Sequence, residues 1–434
     1  MVSDSRAEAA GEAALRNRGI LALLWAFAFL SYLLRINITV AQQFMARELS
    51  LSDIQVGYIF TAFLIGYTVF QVPAGVLGDR FGPRVVLTVS GLCWGATTLL
   101  TGLAPGLLVR GAVMALFSLL VLRFLHGAFE AATYPVAMSA VSYWFPARQH
   151  AFVNSVIFTG STLGSAFAPP LVANIMNAVG WRPTFYMAAI LPLVVAGLWW
   201  RRSRGEERNR KPRPIHTPTQ AAVNWWRLLT QRNVFFLCLS YLLYCYAISI
   251  FVYWLYKYLV DVRHLSIVNG GWGTSLPWIA ASVAVPVFGY VSTKLSRTMG
   301  VLSGRRAVAT GCLALSAFLM WAGASAQHIG PAIAAIAASV ALLFSTESSY
   351  WSTAIDVARE DAGAASGLMN LAGNLGGVLS TSLVPVLVTR LGWFDALLSG
   401  SVFALLAAGA WFPIRKERST EPLERPTPAA WVVK

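Results

Sequence analysis

The side chains of this chain that combine ionisable chemistry with an apolar neighbourhood are Arg35, Arg123, His126, Glu130, Glu347 and, near the end of its apolar run, Asp356. A guanidinium stays charged and offers forked donors that fit a carboxylate, whereas an imidazole and a carboxyl can take up and release a proton. The set suits anion binding coupled to proton exchange. On a helix, Arg123 and Glu130 fall within about 20° of one another, some two turns or about 10 Å apart, with His126 between them. That stripe lets Arg123 hold an anion while Glu130 titrates nearby. Arg35 is the strongest anion anchor, and a structural pair with Glu130 or Glu347 is its plain alternative, as permanent pairing with Glu130 is for Arg123. Asn370 and Asn374, spaced i, i+4, can donate to ligand oxygens or bond between helices. Tyr67, Tyr241, Tyr350 and Trp351 can line a cavity, although packing and interfacial belts also account for aromatics.

The elements that position these groups follow from composition. With 57% hydrophobic and 12% charged residues, the 434-residue chain lacks the polar surface of a soluble protein of its size. A hydrocarbon core about 30 Å thick needs roughly 20 apolar residues per helix. Twelve such runs occur, near 19–43, 54–78, 85–105, 110–141, 149–177, 182–200, 234–259, 268–292, 306–326, 330–356, 363–389 and 393–414. The segment 201–233 carries nine Lys or Arg against two Glu and cannot enter a bilayer. It divides the chain into an N-terminal tail (1–18), a first six-helix bundle (19–200), the basic linker (201–233), a second bundle (234–414) and a C-terminal tail (415–434). The halves repeat at an offset of 212 residues, since Leu163-Gly164 matches Leu375-Gly376 and Gly180-Trp181 matches Gly392-Trp393.

The net charge of +15 is explained by topology and not by nucleic acid, because 25 of the 33 Lys and Arg fall on one side if both termini are cytoplasmic. Cys93, Cys238, Cys245 and Cys312 sit inside apolar runs and imply no disulfide framework. The first apolar run is long enough to span, and residues 1–17 lack the charge pattern of a cleaved signal. No phosphate loop, metal-ligand spacing or nucleophile elbow appears, so no enzyme, ATP-driven pump, metal or cofactor is expected.

The loop after the second run reads Gly75-Val-Leu-Gly78-Asp79-Arg80-Phe-Gly82-Pro-Arg84. Its glycines permit close helix ends, and its charges can lock one face. The stretch resembles the cytoplasmic signature of the major facilitator superfamily. The matching loop of the second half, Gly289 to Arg306, has Thr293 near the expected acid. Tyr32-Leu-Leu-Arg35-Ile-Asn37, Tyr67-Thr-Val-Phe-Gln71-Val-Pro73, Arg123 to Pro135 and Asn370-Leu-Ala-Gly373-Asn374-Leu-Gly376-Gly377 resemble, more narrowly, the anion:cation symporter branch. That branch includes bacterial sugar-acid transporters, sialin and the vesicular glutamate transporters. The resemblance implies a substrate-binding Arg35 and an Arg123–Glu130 pair serving binding and proton coupling. Departures are Leu34, where several sugar-acid members have an aspartate, Tyr244, where vesicular carriers have a further arginine, and the additional Glu347. The drug-antiporter signature is missing from Gly160 to Pro170.

The expected fold is therefore an all-α membrane protein with twelve transmembrane helices in two pseudo-symmetric six-helix bundles. The expected function is proton-coupled symport of an organic carboxylate into a bacterium across its inner membrane, by a monomer in the lipid bilayer. Arg35, Arg123, Tyr67, Tyr241, Trp351, Asn370 and Asn374 are the expected substrate ligands. Glu130, Glu347 and His126 are the expected proton groups, and Gly75, Asp79, Arg80, Gly82 and Arg84 the expected cytoplasmic gate. In this scheme protonation of Glu130 frees Arg123 to join Arg35 on the anion. Glu347 is read as a second proton carrier, as a recogniser of a positive or hydroxyl group, or as a carboxylate facing a wet vestibule. An efflux antiporter for amphiphiles or cations, and a non-transporting receptor, are the alternatives.

Overall fold

In a lipid interior every backbone polar group must be satisfied within its own segment, and helices are the economical answer. The computed structural model describes residues 2–146, 149–204, 225–358 and 361–415, with the side chains of 2–16, 151, 225, 226 and 358 left aside. The first half comprises α1 (Val2–Glu48), α2 (Asp53–Phe81), α3 (Pro83–Leu103), α4 (Ala112–Glu130), α5 (Thr133–Trp144), α6 (His150–Val179) and α7 (Trp181–Arg202). After the short α8 (Trp225–Thr230), the second half comprises α9 (Arg232–Asp261), α10 (Ile267–Met299), α11 (Val301–Ser325), α12 (Ile329–Ser345), α13 (Glu347–Ala358), α14 (Ala362–Leu391) and α15 (Trp393–Gly409). Among the described residues, eleven segments are long and apolar enough to cross a membrane, and α15 is a shorter apolar helix. The fold is all-α, with six spans on either side of the linker. Linker residues 205–224 and tail residues 416–434 lie outside the described residues.

Two expected single runs are broken at mid-membrane. The fourth span divides into α4 and α5 at Ala131–Ala132, where the Pro135 ring meets the Ala131 carbonyl position and Thr133 bonds back to Glu130 O at 2.8 Å. The tenth divides at Thr346, where Ser345 and Thr346 bond back to Ala341 O and Leu343 O, both at 2.7 Å. Each break sits beside a carboxylate, since Glu130 ends α4 and Glu347 begins α13.

The internal repeat has a structural cause. Gly164 of α6 lies against the Phe29 carbonyl of α1, and Gly376 of α14 against the Leu242 carbonyl of α9, so closely that a Cβ at either position overlaps the carbonyl oxygen. The first and fifth helices of each half thus cross through the same glycine. Gly180 and Gly392 take φ 86° and 97° at the turn into the sixth helix of each half, in the region that favours glycine.

The halves close against each other on the face opposite the linker. There Lys257 of α9 reaches Asp53 of α2 at 3.1 Å, Phe60 packs on Tyr253 and Trp254, and Thr61 bonds Thr381 at 2.8 Å and Ser382 at 3.0 Å. Toward the linker face the same stripes separate. On α2 the contact with α14 reaches as far as Gln71, which accepts from Asn370 at 2.8 Å. On α14, a Cβ at Gly377 would touch Leu64, but one at Gly367 or Gly363 would touch nothing within 4 Å.

Candidate functional site

Arg35 and Glu130 form the centre of the first half. Arg35 Nη2 and Nε donate to Glu130 Oε1 at 2.5 and 3.2 Å, and Ser31 Oγ, one turn earlier on α1, donates to the same oxygen at 3.0 Å. The expected Arg123–Glu130 partnership is not formed. Their shared face is real, but seven residues of helical rise hold them about 10 Å apart, and Glu130 turns to α1 instead. Arg123 is buried over the Phe63 ring at 4.8 Å, with Nε and Nη2 unpartnered among the described residues. Arg35 lies 4.8 to 5.1 Å from the centroids of the Tyr32, Phe63 and Tyr67 rings, so Tyr67 serves as a wall for the guanidinium.

His126 stands behind the pair. Its Nδ1 is 2.9 Å from Thr97 Oγ1, and its Nε2 is 3.8 Å from Glu130 Oε2. Thr97 has one hydroxyl proton, and it is directed to the Cys93 carbonyl at 2.8 Å or to that of Trp94 at 3.2 Å. With that proton on a carbonyl, the hydroxyl accepts from Nδ1–H, the tautomer in which Nε2 of the neutral ring faces Glu130 as an acceptor.

Glu347 is the centre of the second half. It accepts from Tyr244 Oη at 3.0 Å, Tyr241 Oη at 3.2 and 3.3 Å, and Trp351 Nε1 at 2.8 Å. Among the described residues no cation pairs with it. Its place in the first turn of α13 sets it where peptide dipoles favour negative charge.

A cavity of about 180 Å³ joins the two centres, with Tyr32 and Arg35 on one wall and Tyr241, Tyr244, Glu347, Asn370 and Asn374 on the other. Of the residues singled out from sequence, Arg35, Tyr241, Glu347, Asn370 and Asn374 reach this wall; Tyr67, Arg123, His126 and Glu130 are buried outside its lining, and Trp351 is exposed outside it. Asn370 Nδ2 donates to Gln71 of α2 at 2.8 Å, and Asn374 Nδ2 is buried without a partner among the described residues. Cys245 also faces the cavity. Sequence reasoning did not place Tyr32, Trp278 or Phe344 at the site, although Tyr32 precedes Arg35 by one helical turn. Tyr350, weighed as a cavity aromatic, is fully buried against Ser240 and Trp411.

The expected gate residues gather where α2 meets α3 on the linker face. Gly82 makes the turn with φ 83°, Asp79 accepts from Ser139 of α5 at 3.4 Å, Arg80 lies 5.2 Å over Phe81, and Arg84 covers Trp200 of α7 at 3.8 Å. Gly75 faces Pro135 of α5. In the second half Thr293 bonds its own helix at Gly289 O, and among the described residues Arg305 pairs with Asp356 at 2.5 Å on that face.

The model of the Major Facilitator Superfamily matches residues 24–381. Among curated proteins, the chain is 32% identical over 404 residues to a hexuronate transporter of Bacillus subtilis strain 168, covering 89% of this chain and 93% of that one. It is 29% identical over 411 residues to a probable sulfoacetate transporter of Cupriavidus necator, covering 90% and 91%. It is 26% identical over 410 residues to a D-galactonate transporter of Escherichia coli O6:H1, covering 89% and 93%. Among solved structures, an inward-facing, unoccupied bacterial homologue of the human lysosomal transporter Spinster superposes with a TM-score of 0.76 at 15% identity, over 92% of this chain and 96% of that one.

Proposed function

The chain belongs to the major facilitator superfamily, a family of transporters and not of enzymes, and on that premise we propose that it carries an organic carboxylate inward together with protons. The observation that supports this reading most directly is the Arg35–Glu130 contact at 2.5 Å beside the cavity. An internal carboxylate occupies the guanidinium that a substrate carboxylate needs. Protonation of Glu130 releases Arg35, the anion takes its place, and loss of the proton restores the internal pair and expels the anion. Binding of anion and proton is thereby linked through one contact. The bare Nε2 of His126 offers the Glu130 proton an acceptor, and Arg123 supplies a second positive charge behind the wall. The sugar acids and sulfoacetate named for the relatives are organic anions, in keeping with an arginine on the cavity wall.

The excess of Lys and Arg on the linker face supports a cytoplasmic placement of that face and of both termini, in the inner membrane of a bacterium. The carrier is then inward-open, and its bundles rock about the cavity as a monomer. The Gly75, Asp79, Arg80, Gly82 and Arg84 cluster acts as the gate when the linker face closes. Proteoliposome uptake of labelled carboxylates under an imposed pH gradient tests this reading. Accumulation driven by an acidic exterior and abolished by a protonophore is the expected result. Absence of flux for every acid tried, or accumulation indifferent to the gradient, overturns it.

A further inference from the structure

We propose that Glu347 makes the cavity a filter for charge, admitting acids that carry one carboxylate and a hydrogen-bond donor at the opposite end while rejecting dianions. This inference rests on the reading of the protein as an organic-anion carrier. The two cavity walls offer opposite chemistry. The first half presents the Arg35 guanidinium, of which Nη1 is the nitrogen that Glu130 does not engage. The second half presents the Glu347 carboxylate and several hydroxyl and amide oxygens, with the Asn374 amide as a donor among them. Glu347 is a carboxylate with neutral donors around it and no cation paired to it among the described residues. Tyr241 and Tyr244 spend their hydroxyl protons on Glu347 and so turn lone pairs toward the cavity. Asn370 gives one of its two amide hydrogens to Gln71 and keeps its carbonyl oxygen as an acceptor.

A ligand complementary to both walls has its carboxylate at Arg35 and donors at the Glu347 end. A second carboxylate there would meet the ionised Glu347 as a like charge beside low-dielectric protein walls, where repulsion is stronger than in bulk solvent. The other buried guanidinium, Arg123, cannot offset it, since it lies behind the wall on the first half. The donor can be a hydroxyl or an ammonium, and the Tyr241 and Tyr244 rings beside the carboxylate accommodate either.

The test measures binding to the purified full-length protein in nanodiscs, using matched acids that differ only at the far end. D-galactonate and galactarate differ by a terminal CH₂OH against a carboxylate, as do 4-hydroxybutanoate and succinate, and 4-aminobutanoate adds the ammonium arm. The donor-ended acid of at least one pair is expected to bind at least tenfold more tightly than its dianion, and Glu347→Gln to narrow that ratio by admitting the dianion. Preference for the ammonium over the hydroxyl arm, or the reverse, identifies the donor and supports the filter in both cases. Dianions bound as well as or better than their partners, or an unchanged ratio in Glu347→Gln, overturn it. The wild-type ratio decides the matter even where the variant fails to fold. If no acid of any pair binds, the organic-anion reading falls first and the filter with it.

Discussion

Arg35 of α1 and Glu130 of α4 meet on a single carboxylate oxygen, with Nη2 at 2.5 Å and Nε at 3.2 Å, although 95 residues separate them in sequence. The geometry uses the planar fork, which an ammonium cannot reproduce. Arg35→Lys is expected to keep the charge and lose at least tenfold in substrate affinity, about 1.4 kcal/mol or more. Unchanged binding in the folded variant would remove Arg35 from the site.

Glu130→Gln preserves shape and imitates the protonated acid permanently. The variant is expected to bind anion and to exchange labelled substrate across the membrane, because exchange requires no return of the empty carrier. Net uptake driven by a pH gradient should be lost, since no proton can be released. Strong gradient-driven accumulation by this variant moves the coupling proton to another group.

Thr97→Val removes the hydroxyl that receives Nδ1–H of His126, so the ring is no longer held with its bare nitrogen toward Glu130. The pH profile of uptake should change while affinity in substrate exchange stays within about twofold, as expected of a group that acts through Glu130 rather than on the ligand. A fall in exchange affinity with an unaltered pH profile assigns Thr97 to packing.

Lys257→Met severs the tie to Asp53 that crosses between the halves on the closed face. A partly exposed ion pair of this kind contributes up to about 1 kcal/mol, which corresponds to roughly a fivefold shift in a two-state population. Labelling of a cysteine introduced at Phe60 by a reagent added to the face opposite the linker should rise accordingly. No change in labelling assigns the pair to the surface alone.

Gly376→Leu inserts a side chain where even a Cβ overlaps the Leu242 carbonyl. Overpacking of this kind costs on the order of 1–3 kcal/mol. A lowered Tm and poor membrane yield are expected, whereas the same substitution at Gly363, whose Cβ meets nothing, should be tolerated.

The architecture was legible because bilayer thickness imposes its length on every span and because the repeated glycines answer to a repeated helix crossing. Gly164 and Gly376 match at a fixed offset in the sequence, and each packs against a carbonyl of the first helix of its half. For the candidate site, the sequence carries signal about which groups share one helix but not about which helices pair. Helical periodicity placed Arg123, His126 and Glu130 together on α4, and His126 does approach Glu130 at 3.8 Å. Periodicity within one helix says nothing about which neighbour presses against it, so the choice of Arg35 as the Glu130 partner needed three dimensions. The Asn370–Gln71 bond likewise joins residues 299 apart and has no local signal. The breaks at Ala131 and Thr346 had local signals in Pro135 and in the paired Ser345 and Thr346, which the apolar runs concealed.

The position of Cys245 gives the protein a built-in chemical gauge. Cys238 and Cys312 are buried, while Cys245 is partly exposed on the cavity wall beside Tyr241 and Tyr244. In a background where Cys93 is replaced by Ser, a charged thiosulfonate added from the linker side is expected to attach at Cys245, if slowly, because the thiol is only partly exposed. Its rate of attachment then reads out how long the carrier dwells open on that side, and a ligand lodged between the walls slows it. Because Cys245 shares the cavity with Arg35 and Glu347, an adduct at this thiol is expected to slow turnover, and full activity after labelling would show that the space stays open.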